Sequence, residues 1–227
     1  LPGLPGFPGL PGLPGLPGLP PCLGCLGCLG FLGFLLFRFL FFHPCRCFGF
    51  GQFHGRGAFT AADGSKYYGL WRAGKRHGTG TQAYVDNGKY VGEWRDDKRE
   101  GIGTYSDADG GIYDGMWRAD MRDGRGTQTY ADGGVYKGDF NRDLVDGLGV
   151  YLYSDGSRYA GEWQMDHPEG QGLYVSVAGD SYLGEFKRGL FDGQGNYLAS
   201  DGEAYAGMWR SGKRHGRGTQ TDPSGAV

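Results

Sequence analysis

From Phe48 onward the sequence contains no cysteine; all five (Cys22, Cys25, Cys28, Cys45 and Cys47) come earlier. The later part therefore owes its stability to neither disulfides nor thiolate-bound zinc, which fits a reducing compartment. It also lacks any excess of positive charge. Arg38 and Arg46 are the only formally charged residues among the first 54, leaving 21 basic against 25 acidic side chains beyond them. That balance excludes a nucleic-acid partner, which needs a basic footprint, and argues against strong non-specific attraction to anionic membranes. Long helices are excluded by composition. Of 48 glycines, 38 lie beyond residue 33, and each glycine inside a helix costs about 1 kcal/mol relative to alanine. No serine or cysteine recurs at a fixed distance from the histidines, so no catalytic triad is indicated.

Residues 1–47 form a segment of their own, with "LPG" triplets giving way to "CLGCLGCLGFLG" and then "FLLFRFLFF". Three readings stay open: a short collagen-like run, a membrane-spanning stretch over Cys22–Phe42 carrying Arg38, or simple-sequence expansion with no fold of its own. Cys22-x-x-Cys25-x-x-Cys28 keeps the period of the glycine triplets, which weakens it as a zinc site.

What is present beyond residue 48 is a repeat of 23 residues without insertion or deletion. Seven times an aromatic, a spacer, a glycine, a spacer and an aromatic appear: Tyr67, Gly69, Trp71; Tyr90, Gly92, Trp94; Tyr113, Gly115, Trp117; Tyr136, Gly138, Phe140; Tyr159, Gly161, Trp163; Tyr182, Gly184, Phe186; Tyr205, Gly207, Trp209. A Gly-x-Gly pair follows at the same step, from Gly55/Gly57 to Gly216/Gly218, and an Asp-Gly pair recurs at Asp63-Gly64, Asp109-Gly110, Asp132-Gly133, Asp155-Gly156 and Asp201-Gly202. Asp-Gly is a strong hairpin signal because both residues tolerate positive φ. Each unit thus reads as two short strands. The first holds Tyr-x-Gly-x-Trp, with tyrosine, glycine and the second aromatic on one face. A loop over Arg72–His77 follows, and the second strand starts at Gly-x-Gly. Glycine leaves room where a neighbouring ring lies against the backbone.

These spacings resemble the MORN (membrane occupation and recognition nexus) repeat, over residues 48–227 in about eight units, the first degenerate around Phe48 and the last stopping inside its second strand. The resemblance implies an all-β fold: an elongated, single-layer, twisted antiparallel sheet of consecutive β-hairpins with a groove on one face. At about 10 Å per two-stranded unit, eight units would run roughly 75–80 Å.

Apparent chemical motifs dissolve into this repeat. Gly69-x-x-x-x-Gly74-Lys75 and Gly207-x-x-x-x-Gly212-Lys213 imitate a phosphate loop, but Arg76 and Arg214 stand where a hydroxyl should hold magnesium. Asp107-Ala108-Asp109-Gly110 lacks the closing glutamate of a calcium loop. His77 and His215 lie six repeats apart. No catalytic, cofactor or metal site, and no small-molecule substrate, is expected. The residues ahead of Gly-x-Gly vary: Lys75, Arg76, Lys98, Arg99, Lys213 and Arg214 are basic at the two ends, with Leu144, Val145, Leu190 and Phe191 between. The basic groups are candidate contacts for anionic lipid or an acidic partner, and the apolar ones for a central contact.

The function expected is a non-catalytic scaffold that binds a protein partner or self-associates in the cytoplasm. The resemblance implies a setting at membrane, cytoskeleton or cilium. Two alternatives are a peripheral phosphoinositide-binding module and the regulatory part of a larger enzyme, since phosphatidylinositol phosphate kinases of plants have similar repeats.

Overall fold

The computed structural model describes residues 47–49 and 52–226, with side-chain surroundings from Gln52 onward. The readings made for residues 1–46 lie outside the described residues. The chain from Cys47 forms an antiparallel sheet of sixteen strands in sequence order, each paired with the next. β1 (Cys47–Gly49) is short; thereafter nine-residue strands such as β2 (Gln52–Thr60) and β4 (Lys75–Ala83) alternate with seven-residue strands such as β3 (Lys66–Arg72) and β5 (Lys89–Arg95). The all-β class, the hairpin order and the 23-residue period expected from the spacings are what the structure has.

Cross-strand register explains the glycines. Gly57 pairs Gly69, Gly69 pairs Gly80, Gly80 pairs Gly92, and the row continues unbroken to Gly218. Each tyrosine of the motif lays its ring over two neighbours in that row. A Cβ at Gly126 would stand 2.5 Å from the Tyr113 ring, and one at Gly115 only 2.5 Å from the Gly126 Cα. No side chain larger than hydrogen fits there while the ring stays in place. The tyrosines are consequently buried, Tyr90, Tyr136 and Tyr182 completely.

The ring next meets the second aromatic of its own motif and that of the following one, edge to face. Tyr90 lies 5.0 Å from Trp94 at 89° and 5.4 Å from Trp117 at 85°. The same zigzag runs from Tyr67–Trp94 to Tyr182–Trp209. Each such pair adds about 0.5–1.5 kcal/mol beyond burial; the tyrosines from Tyr67 to Tyr182 have two each and Tyr205, the last, has one. Hydrogen bonds fix the rings. The Tyr113 hydroxyl donates to the Met116 carbonyl at 2.8 Å, and Trp117 Nε1 donates to the Gly103 carbonyl on the preceding hairpin at 2.9 Å. All five tryptophans make this bond; Phe140 and Phe186 have no donor to make it.

Two expectations need correction. The loop over Arg72–His77 is only the two residues Ala73-Gly74, since Arg72 pairs Lys75 and β4 begins at Lys75, three residues before Gly-x-Gly. Ala73 and Gly74 have φ of 49° and 77°, and equivalent pairs such as Asp96-Asp97 and Ala119-Asp120 match them. This twist suits a two-residue hairpin turn between right-twisted strands. The Asp-Gly pairs lie instead in the longer connections, and their aspartates do not adopt positive φ. Asp63 Oδ1 accepts from the Ser65 N–H at 2.9 Å, and Asp132 Oδ1 from the Gly134 N–H at 2.9 Å, the backbone-mimicking role of aspartate in turns.

The nine-residue strands are longer because they carry a bulge. Trp71 pairs Arg76 and Gly69 pairs Gly80, so His77, Gly78 and Thr79 oppose Leu70 alone. Gly78 sits in the bulge at φ 62°. The two glycines of Gly-x-Gly thus have different tasks: the first takes the left-handed backbone of the bulge, and the second clears space for tyrosine.

A Cβ placed against a ring should cost more than one on left-handed backbone in open space. Gly126→Ala should destabilise the array by about 3 kcal/mol, at the upper end of overpacking, because its Cβ strikes a ring. Gly133→Ala, at φ 90° with nothing within 4 Å, should cost only about 1–2 kcal/mol of backbone strain. Denaturant midpoints of the two variants compare them directly.

Candidate functional site

The side chains that sequence reading singled out as chemically available are largely spent on joining one repeat to the next. Arg76 shows this best. Its backbone N–H and Nε both donate to Asp97 Oδ1, at 2.9 and 3.2 Å, its Nη2 donates to the Asp97 carbonyl at 2.8 Å, and its Nη1 to Gln82 Oε1 at 3.1 Å. The guanidinium lies 4.1 Å from the Trp94 ring centroid. Arg99 repeats the arrangement with Asp120 and Trp117, at 4.0 Å from the ring, and Arg122 with Asp143 and Phe140. One side chain thereby holds the tight turn of the next hairpin and covers its buried aromatic, combining a charge-assisted hydrogen bond with a cation–π contact.

Further along, the equivalent position changes chemistry but keeps the task. Val145 is buried and its N–H donates to Asp166 Oδ1 at 2.8 Å. Phe191 stacks on Tyr182 at 3.7 Å with the rings 7° from parallel and meets Trp209 edge-on at 5.4 Å. Val145 and Phe191, expected as a central apolar contact, are therefore packed into the array; their companions Leu144 and Leu190 are exposed beside the tight turns. At the far end Arg214 donates to Glu203 Oε1 at 2.7 Å and to Gln220 Oε1 at 2.9 Å. Of the six candidate basic contacts, Lys75, Lys98 and Lys213 are exposed at the tight-turn edge, whereas Arg76, Arg99 and Arg214 have carboxylate partners.

The carboxylates that alternate with these cations are bound to backbone. Glu100, Glu169 and Asp192 accept the N–H of the first turn residue of the next hairpin, at 3.0, 2.9 and 3.0 Å. Glu93, Asp139, Glu162 and Glu185 accept an N–H of the bulge nine residues on, for instance Gln194 N–H to Glu185 Oε1 at 2.9 Å. His77 holds the turn-facing position in its repeat, with Nδ1 3.9 Å from Asp96 Oδ1. Among the described residues no group of three or more His, Cys, Asp or Glu side chains could hold a metal ion, and no helix is long and apolar enough to cross a membrane.

Two surfaces remain available for contact. On the ladder face a shallow hollow of about 680 Å³ opens among Phe53, Phe59, Trp71, Tyr84 and Asp86. The opposite face carries the spacer residues of the motif. In the early repeats these are mostly polar, with Thr104 Oγ1 donating to Asp114 Oδ1 at 2.9 Å and Arg125 paired with Asp139. From β10 (Leu144–Leu152) to β13 (Ser181–Lys187) the central spacer of each strand is apolar. Val150 pairs Ala160, Ala160 pairs Leu173 and Leu173 pairs Leu183, so four strands place an apolar side chain in one row. Leu148 is 63% exposed and Leu183 56%. Sequence reading passed over this row because its members stand 10–13 positions apart as spacers, and only the register joins them. A second hollow, of about 610 Å³, borders the row at Thr127, Leu148, Val150 and Ala160.

The sequence model of one family, described as MORN repeat, matches eight consecutive units: residues 47–66, 67–89, 90–112, 113–135, 136–158, 159–181, 182–204 and 205–227. A comparison with curated protein sequences found no match. Among solved structures, the chain is similar to the TCP10 domain of Danio rerio CPAP, at 14% identity and a TM-score of 0.42, with 78% of this chain and 87% of that chain covered. It is also similar to the SAS-4 (dCPAP) TCP domain of Drosophila melanogaster in complex with a proline-rich motif of Ana2, at 14% identity and a TM-score of 0.35, with 82% of this chain and 98% of that chain covered.

Burial pushes the ladder phenols upward, to about 12 at Tyr67, Tyr113 and Tyr182, from an ordinary 10. Between these values the unfolded chain releases protons that the folded chain keeps, so stability is full below pH 10 and falls as pH rises towards 12. The array should unfold cooperatively across that interval, followed by near-ultraviolet circular dichroism. A Tyr90→Phe, Tyr113→Phe, Tyr136→Phe variant should resist the alkaline transition, relative to its own stability at pH 8, by carrying fewer phenols.

Proposed function

This chain belongs to the MORN repeat family, and from that premise we propose that it acts as a non-catalytic scaffold that binds protein partners through the outside of its array. The observation that carries this reading is the apolar row Val150, Ala160, Leu173, Leu183 on the face away from the ladder, exposed at Val150 and Leu183 and half-buried at Ala160 and Leu173. Contiguous exposed apolar surface rimmed by polar residues is a mark of interaction sites. The row is not needed for the sheet, because the equivalent places in earlier repeats hold Thr81, Val91, Thr104, Asp114, Thr127 and Lys137 on the same backbone. The carboxylates Glu100, Glu169 and Asp192, by contrast, are tied to backbone N–H groups, and Asp97, Asp120 and Asp143 to arginine. A cysteine-free array suits a cytoplasmic setting, which is part of the same proposal, as is an association with membrane or cytoskeleton.

A second reading, contact with anionic lipid, is favoured by the exposed Lys75, Lys98 and Lys213 along the tight-turn edge. Each basic residue near such a surface contributes about 1 kcal/mol, and salt screens it.

One comparison separates the two. Full-length protein and a Leu173→Glu, Leu183→Glu variant are used for proximity labelling in cells and, with a Lys75→Glu, Lys98→Glu, Lys213→Glu variant, for flotation with phosphoinositide vesicles at low salt. The protein reading expects a set of labelled partners that the leucine variant loses with its thermal midpoint within a few degrees of the parent. Identical labelling by both would overturn it. Flotation lost only in the lysine variant would favour the lipid reading.

A further inference from the structure

We infer that the apolar face from β10 to β13 is also the contact surface for a second copy of this chain, stacked on it with strands antiparallel. This rests on the reading that the face is an interaction surface and names its occupant. The argument comes from β11 (Arg158–Gln164), which lies inside the patch. On that face it carries Arg158, Ala160 and Glu162, a cation, the smallest apolar side chain of the row and an anion, with Gln164 beyond them at the tight turn. Arg158 and Glu162 are both exposed. Arg158 makes no ion pair or side-chain hydrogen bond among the described residues. Glu162 uses Oε1 to accept the Gln171 N–H at 3.2 Å, which leaves Oε2 for a further partner.

A two-fold axis through Ala160, running along the array, satisfies this pattern with itself. It turns β11 antiparallel onto β11 of the second copy, so that Arg158 of each faces Glu162 of the other, with alanine against alanine between them. Stacked sheets lie about 10 Å apart, a gap that an arginine and a glutamate side chain span together. The same rotation brings Leu152 of one copy over Leu148 of the other, and it places the row of Val150, Leu173 and Leu183 against its symmetry mate. No other strand from β10 to β13 has opposite charges flanking an apolar centre. A two-fold axis along β11 would instead bring Glu162 over Glu162 of the second copy and Arg158 over Arg158. An isologous contact of this kind closes at two copies.

Strand spacing and rise give roughly 500 Å² per copy for the face from β9 (Val135–Asn141) to β14 (Leu190–Leu198). About 1,000 Å² in total is the lower limit for a specific interface, so the dimer is weak.

Sedimentation velocity of the full chain tests this over loading concentrations from about 5 to 500 µM. The weight-average mass should climb from that of one 24.6 kDa chain towards twice that value. Arg158→Glu and Glu162→Arg should each hold the protein at one chain's mass, because like charges then meet across the axis. An equimolar mixture of the two should regain the dimer, since one copy then offers two anions and the other two cations. Circular dichroism of each variant establishes that it is folded. Constant single-chain mass for the parent, dimers of either variant alone, or a monomeric mixture would each overturn the proposal. None of these bears on whether Leu173 and Leu183 capture other proteins, which the labelling comparison reads separately.

Discussion

The close approach of a tyrosine ring to two glycines governs this molecule. A phenol laid flat on a strand pair can be buried only where the backbone beneath carries no Cβ, and the row from Gly57 to Gly218 supplies that bare strip along the sheet. Once the ring lies there, its edge meets one aromatic within the hairpin and another from the next, and its hydroxyl finds the carbonyl three residues on. A single-layer sheet has no second layer to form a core. Its apolar burial comes from rings packed along its own surface, repeat against repeat, so the sheet is a chain of nearest-neighbour interfaces.

A scaffold of this kind leaves other positions free to vary while keeping one task. Arg76, Arg99 and Arg122 cover the next aromatic with a guanidinium and Phe191 with a ring, while Val145 is buried at the equivalent place. The turn-facing position is held by Glu100, Glu169 and Asp192, which accept backbone N–H groups. Charge along the tight-turn edge is therefore partly local structure, while among the described residues Lys75, Lys98 and Lys213 make no carboxylate contact. The outer face is under no such demand, so a run of apolar spacers on it over four strands points to something outside the array.

Much of the fold was legible in the sequence because a strict 23-residue step with alternating aromatics and glycines allows few arrangements. The ladder residues and their shared face followed from spacing and composition. What was not legible depends on register. The bulge at Gly78 moves the strand start back to Lys75, so residues read as loop are strand. The Asp-Gly signal marked a turn at Asp63, yet the two-residue turn is at Ala73-Gly74, where alanine adopts positive φ against its preference. The engagement of Arg76 with Asp97 is 21 positions long, and the pairing of Val150 with Ala160, Leu173 and Leu183 is visible only once strands are aligned.

The central claim, that glycine is required because tyrosine occupies the space above it, is tested most directly by a double-mutant cycle on Gly126 and Tyr113. Stability would be measured by denaturant unfolding for the parent, Gly126→Ala, Tyr113→Ala and the combination. If the ring is the reason for the glycine, alanine at 126 loses most of its cost once the ring is gone, and the coupling energy reaches about 2 kcal/mol, within the range for contacting residues. Additive losses within about 0.5 kcal/mol would contradict the account.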